Sequence, residues 1–173
     1  MKKTVFTFLI GLMTFCASAQ HSIYFNPSFG PYLGGGNPAS TAFVGEDWKA
    51  VFGYAFEVGY CYDGQVNAGI SYGTLDLLNR APFLQARTGY TFLERSRFSL
   101  TLGGGLGYVF RQNQLIGELD LCSNIHLKPG WDLTIAFANQ GVLTPKGTSI
   151  GYLPAVNIGF CKNININIKK KKK

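Results

Sequence analysis

From Lys49 to Tyr62 the chain alternates without a break. Ala50, Phe52, Tyr54, Phe56, Val58, Tyr60 and Tyr62 share one face, while Lys49, Val51, Gly53, Ala55, Glu57, Gly59 and Cys61 share the other. A period of two is that of a β-strand, because a helix would scatter the aromatic residues around its axis. One face is large and apolar, and the other is mostly small or polar. The same division returns in nearly every later segment, which restricts the chain to a single sheet with two unlike surfaces.

Eight alternating segments can be laid out, at 22–33, 49–62, 65–75, 83–92, 98–110, 114–127, 131–140 and 149–161. Most are long enough to cross a bilayer when tilted. Their connections alternate between tight turns, at Asp63-Gly64, Leu93 to Arg97 and Lys128 to Gly130, and longer ones, at Gly34 to Asp47, Asp76 to Pro82 and Gly141 to Thr148; Arg111 to Asn113 is brief. That rhythm is the one found in outer-membrane barrels, with short periplasmic turns and longer external loops. The first segment is the weakest, since Pro27 and Pro31 interrupt it.

A soluble eight-stranded barrel would line its cup with the large apolar side chains and set charges outside. Here no charged residue falls on the apolar face of these segments, and a charge there would cost about 2 to 4 kcal/mol at the middle of a membrane. Aromatic residues gather near both sets of strand ends. Tyr60, Tyr62, Tyr90, Phe92, Phe98, Trp131 and Phe160 lie toward the tight turns, and Trp48, Phe52, Tyr72, Tyr108 and Phe110 toward the loops. Two interfacial girdles are expected from this distribution. The fold class expected is therefore all-β, an antiparallel up-and-down transmembrane β-barrel of eight strands.

The ends of the chain agree. Lys2 and Lys3 precede an apolar stretch from Val5 to Phe15 and the small-x-small run Ala17-Ser18-Ala19, so 1–19 reads as a cleaved signal peptide. A lipoprotein anchor at Cys16 would need a small residue before it, and Phe15 stands there. Residues 20–161 form the expected barrel, and 162–173 a low-complexity tail in which Asn and Ile alternate before Lys169 to Lys173. The location expected is the outer membrane, with both chain ends in the periplasm.

The formal charge of +7 suggests a nucleic-acid binder until it is located. Lys2 and Lys3 leave with the signal and five Lys close the tail, while residues 20–168 carry nine basic against nine acidic side chains. That body is neutral, and no direct nucleic-acid binding is expected of it. A basic tail in the periplasm is able to touch anionic lipid, peptidoglycan or nucleic acid, although a solvated appendage without a role is the preferred reading.

Inside so narrow a barrel, side chains fill the space and a wide pore has no room. Glu57, Arg87, Glu118 and Asp120 project inward from the second, fourth and sixth segments, which predicts a polar network in the lumen; a narrow gated path for small solutes is the alternative. Cys61, Cys122 and Cys161 fall on the same inner face, and their odd number leaves at least one free. No metal site is expected, since His21 and His126 stand apart from any ligand cluster. Nor is a catalytic site expected, because neither histidine has an evident Ser nucleophile beside it. The run from Gly103 to Gly107 looks like a phosphate-cradling loop, but Leu100, Leu102, Leu106 and Tyr108 carry a strand through it. No cofactor is expected.

Phe83, Gly89-Tyr90, Phe92, Phe98-Ser99-Leu100 and the glycine-rich strand ending in Gly107-Tyr108 resemble the middle of TraO proteins of conjugative transposons. Gly117-Glu118-Leu119, Gln140 to Leu143 and Ile158-Gly159-Phe160 are similar to the C-terminal half of that family, so that the likeness spans about residues 49–160. It departs from the family in lacking basic positions around Phe137 to Gly141 and in the Lys tail after the last strand. More generally the chain resembles small OmpA-like and OmpX-like barrels. The TraO resemblance implies a non-enzymatic outer-membrane component of a conjugal DNA-transfer apparatus, acting as a scaffold or envelope partner. A surface protein for adhesion or envelope integrity is the alternative, beside the narrow channel. The partners expected are outer-membrane lipid, the barrel-assembly machinery through Tyr152, Val156, Ile158 and Phe160 of the last strand, and other envelope or conjugation proteins. The barrel itself is expected to be a monomer.

Overall fold

The structure, a computed structural model, describes residues 21–35, 48–77, 81–111, 113–143 and 150–166, with the backbone alone for 34, 35, 48, 49, 142, 143 and 150–152. The expected signal peptide, the Cys16 anchor, the interior of the first long loop and the Lys run lie outside the described residues, as does the side chain of Trp48. The strands are β1 (His21–Gly35), β2 (Trp48–Tyr62), β3 (Val66–Thr74), β4 (Pro82–Glu94), β5 (Phe98–Val109), β6 (Gln114–Lys128), β7 (Trp131–Leu143) and β8 (Ile150–Ile166). Each pairs antiparallel with its neighbour in sequence, and β1 pairs with β8, so the eight close into one barrel. Closure leaves no free sheet edge along the body of the barrel.

The outer surface is the apolar face read from the sequence. Leu106 and Leu119, in the middle of β5 and β6, are 76% and 68% exposed. Phe52, Tyr72 and Phe110 are exposed toward the long connections, and Tyr60, Tyr90, Phe92, Phe98, Trp131 and Phe160 toward the tight turns. Glycines and polar residues face inward because long side chains from other strands need their space. A Cβ at Gly59 would collide with the Tyr24 ring, and one at Gly103 with Asp120 Oδ1. At these two positions a side chain would have to displace the Tyr24 ring or the Asp120 carboxylate.

Strand boundaries differ most at the closing seam. β1 runs fifteen residues and stays paired with β2 throughout, from His21 opposite Tyr62 to Gly35 opposite Trp48. Against β8 it pairs from His21 to Phe25, at Ser28 and Phe29, and at Tyr32, with gaps at Pro27 and Pro31. Proline has no N–H to donate, so its interruption falls on one seam rather than on the strand as a whole. β8 continues to Ile166, past the expected end at 161, because Asn163 and Asn165 keep the inward parity and Ile164 and Ile166 the outward one. The start of β1 supplies their partner strand.

Two bulges break the alternation, both at the short-turn end. Between Thr91 and Leu93 the β4–β5 register shifts, so Leu93 pairs with Leu100 and Glu94 with inward Ser99. Strict alternation would set Glu94 beside Phe92 on the apolar face, and the extra residue turns it toward the lumen. Between His126 and Lys128 the β6–β7 register shifts likewise, pairing Lys128 with outward Trp131. Lys128 Nζ then lies 5.7 Å from the Trp131 ring centroid, and Lys162 Nζ lies 4.8 Å from it.

Candidate functional site

The lumen divides into three levels. Toward the long connections, Tyr32, Phe83, Val109, Ile116 and Leu153 pack together with Leu75, Ala81, Ala138 and Ala155 into a dry apolar plug. Every one of the first five is at most 2% exposed. Aromatic and branched side chains from five strands fill the section at this level, with Gln114, opposite Val109, buried beside them.

Beneath the plug lies the charged level. Arg87 extends from β4 across the lumen and forms ion pairs with Glu57 on β2 (Nε to Oε2, 3.2 Å), Asp120 on β6 (Nη2 to Oδ2, 2.8 Å) and Glu118 on β6 (Nη1 to Oε1). Tyr24 donates from its hydroxyl to Glu57 Oε1 at 2.5 Å, and Gln140 Nε2 donates to Glu118 Oε2 at 2.8 Å. The cluster therefore joins β1, β2, β4, β6 and β7 across the barrel. Glu57, Arg87, Glu118 and Asp120 are the four residues whose parity points inward, and the structure brings them within contact of one another. Tyr24 and Gln140 were not anticipated as partners. Their inward parity was readable, but the pairing depends on the stagger between strands, which parity does not encode.

From the underside of the plug, past the charged level, the lumen holds a polar cavity of about 350 Å³, whose wall runs from Tyr32, Phe83 and Gln85 by Arg87 to Glu94, Asn165 and the tight-turn Gly64 and Gly130. Its mouth is therefore at the short-turn end. His126 Nδ1 lies 2.7 Å from Asp132 Oδ1, Asn163 Nδ2 donates to Asp132 Oδ2 at 2.7 Å, and His126 Nε2 is 3.8 Å from Glu94 Oε1. Farther in, the Thr91 and Thr101 hydroxyls share a hydrogen bond at 2.9 Å, and Asn124 donates to Ser99 Oγ at 3.2 Å. Cys61, Cys122 and Cys161 also line the cavity, and all three are free. Among the described residues no group of His, Cys, Asp and Glu is placed to hold a metal ion. His126 Nε2 has no hydrogen-bond partner there. His21, at the outer end of β1, contacts the hydroxyl of Tyr60 and stacks on its ring, away from this dyad.

Comparison with solved structures identifies the architecture. A de novo designed transmembrane β-barrel matches with a TM-score of 0.55 at 12% identity, covering 84% of this chain and 95% of that one. The designed barrel TMB2.3 matches with a TM-score of 0.53 at 11% identity, covering 86% and 98%. The outer membrane protein AlkL, solved in DMPC lipid bilayers, matches with a TM-score of 0.40 at 12% identity, covering 88% and 93%. No family model matches the chain, and no curated protein matches it in sequence, so the resemblance to TraO proteins gains no support from either. The chain has the fold of a small eight-stranded transmembrane β-barrel.

Proposed function

We propose that the chain is a non-enzymatic outer-membrane barrel with a lumen that does not conduct, acting as a structural or interaction component of the envelope. The observation that carries this reading is the stacking of two barriers in one lumen, the apolar plug on the Arg87 cluster. A permeant ion would have to cross a dry layer of Tyr32, Phe83 and Leu153, where charge is costly to desolvate. Outward Leu106 and Leu119 fit lipid contact, and Trp131 flanked by Lys128 and Lys162 fits an interfacial anchor. Recordings in planar lipid bilayers test the reading: the folded barrel is expected to give no discrete steps, and stable ion-selective steps overturn it.

Location is tested separately, by heat-modifiable gel mobility in the outer-membrane fraction. Soluble secretion would defeat it. For an enzyme, the exposed rim would have to present a nucleophile to lipid or peptide, and conversion of labelled lipid A by the purified barrel would reverse the non-enzymatic reading.

The narrower reading, a component of a conjugal transfer apparatus, is supported by the TraO-like segments from β4 to β8. A deletion strain that still conjugates at the normal frequency defeats this narrower reading and leaves the barrel proposal intact.

A further inference from the structure

The cavity that runs from the Arg87 cluster to the short-turn mouth is rich in negative charge. Five carboxylates line it, those of Glu57, Glu94, Glu118, Asp120 and Asp132, against the single guanidinium of Arg87. Three of them surround Arg87, so one positive charge faces three negative ones at that level.

A second, independent feature lies in the inner wall. Gln85 and Gln140 are each 1% exposed and both line the cavity. Gln85 has no hydrogen-bond partner for Nε2 or Oε1, and Gln140 has none for Oε1. Asp120 Oδ1 and Asn157 Oδ1 are equally without partners. Buried polar atoms are ordinarily satisfied, and leaving one unmade costs about 1 to 3 kcal/mol. With His126 Nε2, four of the six orphaned atoms are oxygens, so the wall offers more acceptors than donors. It calls for a guest rich in N–H donors and positively charged.

The acidic groups also fall at two depths. Asp120 opposes Ala138 and His126 opposes Asp132, which separates the two levels by six residues of β6. That is about 20 Å along the strand, or about 15 Å along the barrel axis at a tilt of about 40°. A single ammonium or metal ion meets one level only. A linear chain with cationic groups at both ends meets both.

We propose that this cavity is a binding site for a linear aliphatic polyamine, which enters at the short-turn end, sets one terminal ammonium among Asp120, Gln85 and Gln140, and leaves the other near Asp132 and Glu94. Methylene segments lie along the Thr91–Thr101 and Cys122 walls, where the lining is small and weakly polar. The apolar plug prevents onward passage, so the guest is held rather than conducted.

Calorimetric titration of the folded full-length barrel in detergent micelles tests the proposal, with spermidine, butylamine and calcium chloride as separate probes. Spermidine is expected to bind saturably at one site per barrel, with butylamine at least about tenfold weaker because it reaches one level only. Gln85→Leu and Asp132→Asn, made separately, are each expected to weaken spermidine about tenfold while the heat-modifiable gel shift is kept. Phe137→Leu, on the outer face, is expected to change nothing. Absence of saturable spermidine binding overturns the proposal, and so does calcium binding that displaces spermidine. Butylamine binding as tight as spermidine reduces the cavity to a single-charge site and overturns it as well. Unchanged affinity in folded Gln85→Leu removes the inner wall from recognition and defeats the assignment even if Asp132→Asn fails to fold.

Discussion

On the loop side of Arg87 the lumen is packed with Tyr32, Phe83, Val109, Ile116 and Leu153, all but sealed from solvent; on the turn side it is a cavity of about 350 Å³ walled by hydroxyls, amides and carboxylates. Both halves are enclosed by the same strands and present the same apolar exterior. Outward parity therefore says nothing about what fills the inside. The upper half behaves as the core of a soluble protein turned into a membrane barrel, where exclusion of water supplies the cohesion. The lower half holds together through hydrogen bonds that solvent can replace, which makes its individual contacts cheap to lose.

Arg87 sits where the two regimes meet, and it carries the largest expected effect. Arg87→Met keeps much of the volume but leaves Glu57, Glu118 and Asp120 facing one another without a cation. Removing one partner of a buried ion cluster destabilises by about 3 to 5 kcal/mol. Equilibrium unfolding in urea from detergent micelles or bilayers measures it, and adding Glu118→Gln to Arg87→Met should recover part of the loss. A cost below about 1 kcal/mol would mean that water reaches this level as freely as the cavity below, and the boundary between the halves would disappear.

Next in size is Leu153→Ala, which empties part of the plug and is expected to cost about 2 to 5 kcal/mol. Its counterpart in the cavity is Thr134→Ala, which removes a hydroxyl donating to Asn26 Oδ1 at 3.3 Å. That change should cost about 1 kcal/mol. Equal losses for the two would show that the cavity is as tightly coupled as the plug.

Parity alone makes much of this barrel legible. It separates lipid-side from lumen-side residues along β2 to β7, and it directs Glu57, Arg87, Glu118 and Asp120 inward. It fails where a residue is inserted: the β4 bulge carries Glu94 inward with no glycine or proline to announce it, and the β6 bulge carries Lys128 outward just before the Pro129-Gly130 turn, which marks the turn but not the inserted residue. It also understates β8, where the Asn and Ile alternation of 163–166 reads as low complexity until the first residues of β1 supply a partner strand. The plug is hidden for a different reason. Tyr32, Phe83, Val109, Ile116 and Leu153 occupy inward positions on five different strands, and only the stagger of the closed barrel brings them to one depth.

The smallest expected effect is at the mouth, where the contrast between the two regimes can be drawn on charge alone. Glu94 lies 3.8 Å from His126 Nε2 with its side chain 64% exposed, whereas the Glu118 and Asp120 side chains that hold Arg87 are 3% exposed. Water and salt screen the outer pair, and double-mutant measurements on exposed pairs of this kind give about 0.2 to 1 kcal/mol. Glu94→Gln should therefore shift the unfolding free energy by no more than about 0.5 kcal/mol, and less still at high ionic strength. A loss near that of Arg87→Met would show that the turns close over the mouth and dry it, which would make the lower half a second sealed compartment instead of an open cavity.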